Sequence, residues 1–510
     1  MRDVPFAKSK PGWFNRFLNW VERAGNKMCS PITLYLVICL IIIACSAVFA
    51  GASVMNPATG EVVTVESLLT FDGAVWMLTS FCDNIIKFPT IVLGLVVALG
   101  VGLFEVTGMA SALMRASVVK APDKILIPLL LLISVSSNIA GDAGFIVMPM
   151  IGAIVFQAKG KSPIAGMALC YAGVAGGFSA NLLVSPTDAI LIGFTDAAAK
   201  IINPEYDVNI TCNWYFMAAS VVLLVIVGTF VNNRYVEKRL TRDCDDHGEA
   251  ETAEVTPLEK KGLIWGGIAE LIFLGIIIIA CIPPSSPFRD ETGDLLSMKG
   301  GLLGGIVPII MLMFLIPASV YGFKTRMYKN DKDLVEGVVK AVSNMSSYVL
   351  FCIVAAQMIA YFNKSNLGMC IAIGGAEALS NASISGPPLF ILFILLCGLI
   401  NLLIASASAK WAFMATIFVP MFMLMGYDPA LTQLLYRLGD SVTNPISPMF
   451  AYFAMLVGLA TKYDKQSSFG SLISGLLPYS IAFLIMWTLF LIIWFLLGLP
   501  LGPGATLFYP

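Results

Sequence analysis

The chain has 510 residues, of which 58% are hydrophobic and only 12% charged, and its mean hydropathy is +0.85. A soluble globular protein carries about 25% charged residues, so this composition excludes the soluble classes and reads as an all-α polytopic membrane protein. The net charge of −1, from 31 basic and 32 acidic residues, identifies no partner, and nothing in it points to nucleic acid.

Residues 1–30 hold Trp13, Phe14, Phe17, Leu18 and Val21 on one helical face, with Arg16 and Arg23 off it. That pattern predicts an amphipathic helix lying on the membrane surface. The run 32–50 is too long for a signal-peptide core and reads as a retained first span. Basic residues before it place the N-terminus in the cytoplasm, and the lysine- and arginine-free connection 52–66 falls outside. Residues 31–87 therefore form the first span and its outer connection. A second span at 88–107 returns to Arg115, Lys120 and Lys124. The apolar run 125–158 starts and ends among basic residues, which predicts a re-entrant hairpin, 123–158, with its tip at Ser136 to Asp142. A span at 162–200, broken near Ser179 to Pro186, leads out, and 213–233 leads back.

The polar stretch 234–261, with the chain's one histidine, His247, reads as a solvated cytoplasmic linker. Residues 262–341 supply two scaffold spans and a basic cytoplasmic segment. After a span at 342–362, a second hairpin occupies 388–426, a broken span 428–461, and a last span 472–498. The uncharged tail 499–510 lies outside. The expectation is about nine spans plus two re-entrant hairpins. The 11 cysteines sit mostly in apolar runs without a CxxC pair and read as small buried hydrophobes.

Two internal matches give this layout its meaning. "SNIAGDAGFIVMP" (137–149) and "SAKWAFMATIFVP" (408–420) share serine and proline at one offset, 271 residues. "GFSANLLVSPTDA" (177–189) and "GDSVTNPISPMFA" (439–451) share a glycine, two serines, a proline and an alanine at an offset of 262. The matches keep their order and fall at breaks in hydrophobic runs. Positive charge gives the two copies, 88–233 and 342–498, opposite orientation, the mark of an inverted-topology repeat. Unwound backbone in a bilayer survives only where protein or a watery cavity satisfies it. Two hairpin tips and two broken helices therefore converge on one binding site, where helix N-termini suit an anion and free carbonyls a cation.

The stretches "GFSANLLVSPTDAIL" (177–191), "NWYFMAASVV" (213–222), "IFVPMFMLMGYDPA" (417–430), "LLYRLGDS" (434–441) and "GLPLGPG" (498–504) resemble the p-aminobenzoyl-glutamate transporter (AbgT) family along nearly the whole chain. The resemblance implies a homodimer in the cytoplasmic membrane, each protomer with nine spans and two hairpins. It implies movement of p-aminobenzoyl-glutamate, a small anionic aromatic substrate, driven by an ion-motive force, and export of sulfonamide antimetabolites. The family's functional residues fall here on Asp188, Ser408, Trp411, Pro429, Arg437, Asp440 and Pro448.

Each candidate has a structural alternative. Asp188 is a helix N-cap or a carrier of the coupling proton or cation. Arg437 and Asp440, three apart, either neutralise each other or exchange partners while Arg437 grips a substrate carboxylate. Trp411 stacks on an aminobenzoyl ring or fills the hairpin. Ser137, Asn138, Ser179, Asn181, Ser408 and Asn444 offer neutral oxygens, and Ser137, Asn138 and Asn181 are where a sodium ion would sit; each of them can equally satisfy local backbone. Asp142 ends the first tip as a second carboxylate. Glu105 and Glu270 read as structural. Lys410 either snorkels to the surface or meets a protein or substrate anion, its ammonium standing where the other half holds a cation.

Other classes are weaker. "GKS" (160–162) lacks the leading glycine of a phosphate loop, having Val155 there. No HExxH occurs, so no metal or organic cofactor is called for, only a coupling proton or sodium ion. "LGD" (438–440) with Asp188 keeps an intramembrane protease as a distant reading, and a channel stands as a second class. A sodium-coupled dicarboxylate carrier shares the architecture but has Ser-Asn-Thr at both tips. Here the tips read Ser137-Asn138-Ile139 and Ser408-Ala409-Lys410.

Overall fold

The computed structural model describes residues 31–509 apart from 56–61, 89, 119–121, 238–254, 296–300, 405, 448, 465–466 and 468. The amphipathic segment 1–30, most of the linker with His247, and Pro448 lie outside the described residues. Among the described residues, the regular structure is helical apart from a two-stranded antiparallel pair, Ser53–Met55 with Val62–Thr64. In order the helices are α1 (Pro31–Val48), α2 (Phe71–Thr79), α3 (Phe81–Ile86), α4 (Thr90–Val106), α5 (Met109–Val118), α6 (Asp123–Ser136) and α7 (Ala143–Ala158). There follow α8 (Pro163–Tyr171), α9 (Pro186–Ala199), α10 (Trp214–Val231), α11 (Pro257–Cys281), α12 (Gly301–Gly304), α13 (Ile306–Lys324) and α14 (Asp331–Ser343). The last seven are α15 (Ser346–Lys364), α16 (Leu367–Asn381), α17 (Pro387–Asn401), α18 (Ala407–Leu424), α19 (Pro429–Thr443), α20 (Ala451–Tyr463) and α21 (Phe469–Leu496).

Among the described residues, six helices are long and apolar enough to cross a membrane: α10 with its continuation to Val236, α11, α13, α15, α18 and α21. Helices α4 and α5, bent by 62° at Thr107–Gly108, make a seventh if taken as one. The expected nine counts hydrophobic runs rather than unbroken helices. It includes α1, just short of the length, and two runs that each fold as two short helices, α8 with α9 and α19 with α20. The apolar side chains of α11 point outward, with Leu271 at 71% and Ile279 at 68% exposure. Such a surface suits acyl chains or another apolar protein face, not water.

The predicted interruptions coincide with changes of backbone type. Helix α6 ends in a 3-10 turn at Ser137–Ala140, and Gly141 (φ +65°) redirects the chain into α7. Helix α17 stops at Asn401, and Ser406 caps α18 by accepting from the Ala409 amide. Helix α8 loosens into a π turn at Ala172–Gly176, and α9 restarts at Pro186. Helix α19 passes through a 3-10 turn at Asn444–Ile446 before α20. A proline in the first turn of α8, α9, α17 and α19 costs no hydrogen bond there.

Small residues set the closest packing. Gly152 on α7 and Gly166 on α8 face each other so tightly that a Cβ on either would strike the other's backbone. Gly439 on α19 lies in the same way against the Ile394 carbonyl of α17. Helix α9 packs along α18, and the π turn touches both α19 and the 3-10 turn that follows it. The two broken segments thus meet in the interior.

The tail folds back over one end of the molecule. Leu501 O accepts from Phe216 N (3.2 Å) and Pro503 O from Asn209 Nδ2 (2.8 Å). Leu507 O accepts from Asp428 N (3.2 Å), and Tyr509 N donates to Gly426 O (2.9 Å).

Candidate ion and substrate site

The breaks are stitched by side chains that the sequence places at them. Asn138 Nδ2 donates to Val174 O (3.0 Å) and to Val135 O (3.1 Å), and Asn444 Nδ2 donates to Ala175 O (3.4 Å). One asparagine from the first hairpin and one from the second broken span thereby hold adjacent carbonyls of the π turn. Ser179 N donates to Ser441 Oγ (3.2 Å), and Ser137 Oγ donates to Ser134 O (2.6 Å). These bonds satisfy backbone groups that would each cost several kcal/mol in hydrocarbon.

Two buried ion pairs tie the elements together. Arg437 Nη1 meets Asp188 Oδ1 at 2.5 Å, with side-chain exposures of 1% and 11%. Asp188 Oδ2 also accepts from Ser185 N (2.6 Å) and Ser185 Oγ (2.7 Å), and Arg437 Nη2 donates to Ser179 O (3.1 Å). The N-cap of α9 is Ser185, and Asp188, expected there, is instead the N3 partner of its capping box and at the same time the ion-pair partner of Arg437. Arg437 Nε is buried without a partner.

The second pair is Lys410 Nζ with Asp440 Oδ1 at 2.5 Å, 0% and 2% exposed. Lys410 also donates to Asn401 Oδ1. Asn401 Nδ2 in turn lies 2.8 Å from both Asp440 O and Thr443 Oγ1, and 2.7 Å from Asn444 Oδ1.

Two expectations need correction here. Arg437 and Asp440 form no pair with each other among the described residues. Successive inward positions of α19 address different neighbours, α9 on one side and α18 on the other. Snorkelling of Lys410 is excluded as well, because α18 begins inside the protein and Lys410 lies in its first turn.

Trp411 is fully buried. Its ring stacks on Tyr436 at 4.5 Å between centroids, and Nε1 donates to Thr195 Oγ1 (2.8 Å). Thr195 donates to Gln433 Oε1 (2.5 Å), Gln433 Nε2 to Asn213 Oδ1 (3.0 Å), and Asn213 Nδ2 to Ala430 O (2.8 Å). One face of the indole that was read as a candidate ring platform is thus occupied by Tyr436 in this conformation.

Beside this polar layer lies a cavity of about 580 Å³. Asn138, Gly141 and Asp142 of the first tip line it, as do Ala407 and Ser408 of the second. Pro186 and Thr187 at the start of α9, Glu105 of α4, Asn344 and Tyr348 also line it. Of the residues read from the sequence, the cavity gathers Asn138, Asp142 and Ser408. Ser137, Ser179, Asp188, Lys410, Trp411, Arg437, Asp440 and Asn444 form the bonded layer beside it. Asn181 is buried with both amide atoms unpartnered. Pro429 stands apart, at the first position of α19 and about 12 Å along the helix from Arg437.

Sequence reasoning missed Asn401, the hub of the Lys410 cluster, although a lone asparagine ending an apolar run carries the same signal as Asn138. It also read Glu105 as structural from its place near a helix end. The fold turns that end toward the first tip. Glu270 has a buried, unpartnered Oε2 on α11 and takes no part in the site.

Comparison with known proteins matches residues 16–509 to a family described as the AbgT putative transporter family. The chain is 35% identical over 491 residues to the p-aminobenzoyl-glutamate transport protein of Escherichia coli (strain K12), covering 96% of each chain. It is similar to the solved structure of the Alcanivorax borkumensis YdaH transporter, reported to have an unusual topology. There the TM-score is 0.89 and the identity 34%, over 93% of this chain and all of that one. It is similar also to Neisseria gonorrhoeae MtrF, whose structure is said to illuminate a class of antimetabolite efflux pumps. That match has a TM-score of 0.89 and 40% identity, over 96% of this chain and all of that one.

Proposed function

The chain belongs to the AbgT family of membrane transporters, and from that premise we propose that it is a secondary active carrier of p-aminobenzoyl-glutamate or related aromatic amino-acid conjugates. Export of antimetabolites of sulfonamide type fits the same site, in keeping with the description of MtrF. The observation that carries this reading is a cavity lined by residues of both hairpin tips, beside a dense ion-paired layer in which Trp411, Tyr436 and Arg437 are at most 1% exposed. A pocket between the tips of two hairpins, bordered by buried charge, suits alternating access better than a continuous pore.

The coupling chemistry follows from the Asp188–Arg437 pair. A proton or sodium ion arriving at Asp188 competes with Arg437 for the carboxylate. The released guanidinium then offers its planar fork to a substrate carboxylate. Cation binding and anion binding are linked because one arginine serves two acceptors. The Lys410–Asp440 pair keeps the second half neutral throughout.

Helix α14, which carries Lys332 and Lys340, leads into the cavity-lining Ala341 and Asn344, so the charge rule puts the opening on the cytoplasmic side. The same rule gives a cytoplasmic N-terminus, an external tail and two inverted repeats, 88–233 and 342–498, in the inner membrane. The assembly is a homodimer, as the family resemblance implies. Proteoliposome uptake of labelled p-aminobenzoyl-glutamate under separate proton and sodium gradients tests the reading. Saturable uptake with counterflow under one gradient is expected. Linear flux indifferent to both gradients would sink it.

A further inference from the structure

Helices α10 and α21 pack side by side and are bonded along their contact. Trp487 Nε1 donates to Ser220 Oγ (2.8 Å), and the Tyr479 hydroxyl donates to Asn232 Oδ1 (2.9 Å). Between the same two helices a groove of about 760 Å³ opens, with Ile226, Phe230 and Ile485 exposed along it. Its α21 side carries Ser474, Pro478 and Ala482, four residues apart, so a row of small side chains follows the helix between larger apolar ones.

The groove is polar at one end only. Tyr235 and Ser474 mark that end, and every other lining side chain, out to Ile226 and Met486, is apolar. From Ser474 to Met486 the helix rises about 18 Å, close to the roughly 15 Å of hydrocarbon in a single leaflet. Arg234 stands at the polar end, exposed, with its guanidinium 5.4 Å from the centroid of the Tyr235 ring. It has no ion-pair partner among the described residues. Glu237, the acid next along the chain, is already held by Lys161 at 2.9 Å. The charge rule gives this end of α10 to the cytoplasm.

We propose that this groove binds one anionic phospholipid of the cytoplasmic leaflet, with an acyl chain lying along the small row of α21 and the phosphate on Arg234 and the Tyr235 hydroxyl. An unpaired cation above one leaflet's depth of apolar groove matches such a lipid in charge, length and polarity. A spanning helix of a second copy would need an apolar track through both leaflets. The bound chain also reaches the site from behind. A Cβ on Gly176 of the π turn would meet the ring of Phe483 at 2.9 Å, and one on Gly228 of α10 would meet it at 3.4 Å. Phe483 follows Ala482 on α21, so a filled groove backs the ring that wedges α10 and the π turn. The inference needs the membrane topology but not the substrate reading.

The test uses the full chain. Purified in mild detergent, it is offered equal amounts of phosphatidylglycerol and phosphatidylcholine with identical acyl chains, and retained lipid is counted by native mass spectrometry. The unfolding midpoint is recorded in nanodiscs with and without phosphatidylglycerol, since a ligand of the native state raises it. The wild type is expected to retain one phosphatidylglycerol per chain, preferred about fivefold over phosphatidylcholine, the effect of one arginine near the surface. Its midpoint is expected to rise with phosphatidylglycerol.

Arg234→Ala is expected to lose both the preference and the midpoint shift, and Arg234→Lys to keep most of each. Ala482→Phe fills the groove and is expected to lose retained lipid of either kind. A wild type that holds both lipids equally, or neither, overturns the proposal, as does an Arg234→Ala protein with the wild-type preference. A midpoint shift reproduced by inorganic phosphate in phosphatidylcholine nanodiscs overturns the lipid in favour of a free anion. An Ala482→Phe chain that dissociates from a second copy, where the wild type retains no lipid, overturns it in favour of a protein contact.

Discussion

The two hairpin tips occupy matching places in the chain and handle charge in opposite ways. At the first, Asp142 faces an open cavity, with Glu105 near the same tip and no basic group lining that cavity. At the second, Lys410 is sealed at 0% exposure against Asp440 and Asn401. A buried charge is tolerable only when paired, because desolvation costs several kcal/mol per ion. The second tip is thus complete within the protein, whereas the first leaves a carboxylate open to the cavity.

The largest expected effect comes from breaking the sealed tip. Lys410→Met strands Asp440 and is expected to cost about 3–5 kcal/mol of stability, and adding Asp440→Leu to recover most of that. Denaturant unfolding in nanodiscs reads both, and a Lys410→Met protein as stable as wild type would erase the contrast between the tips. Asp188→Asn probes the pair nearest the cavity. It is expected to remove gradient-driven accumulation in proteoliposomes while equilibrium substrate binding stays measurable, because Arg437 is then permanently free. Retained accumulation would reduce Asp188 to its part in the capping box of α9.

Smaller effects sharpen the comparison. Trp411→Phe keeps the stack on Tyr436 and loses the bond to Thr195, for an expected cost of about 0.5–1.5 kcal/mol. Substrate affinity should hardly change, and a large loss measured by calorimetry would instead put the indole face on the substrate. Asp142→Asn at the open tip is expected to alter stability by no more than about 1 kcal/mol, as for an exposed side chain whose one partner is the Tyr452 phenol, a bond the amide can keep. A destabilisation like that of Lys410→Met would show that both tips are sealed alike.

Much of this arrangement was legible before any coordinates. Apolar runs marked the membrane helices, and serine, asparagine and aspartate inside those runs marked the breaks at Ser137–Asp142, Ser179–Ser185 and Asn444–Ser447, since polar groups there are retained only for backbone or ligand. Pairing was not legible. Helical spacing put Arg437 beside Asp440, yet each reaches across to a different helix, and contacts between helices leave no periodicity in one chain. The neighbours of Glu105 were hidden for the same reason, since they depend on which tip its helix end meets. Continuous helix length was also hidden, because a proline and a π turn divide runs that composition alone treats as single spans.

The returning tail described above bears on how the molecule can move. Leu507 and Tyr509 bind the loop that launches α19, while Leu501 and Pro503 bind the stretch that launches α10. Asn213 Nδ2 joins the two directly through Ala430 O. Sliding α19 along its own axis past α10 must rupture these bonds together. Tilting it about this end leaves them whole and concentrates displacement at the far end, where Arg437, Asp440 and the Asn444 turn reside. The tail acts as a fulcrum, and the geometry of a lever makes the deepest residues of α19 the ones that travel.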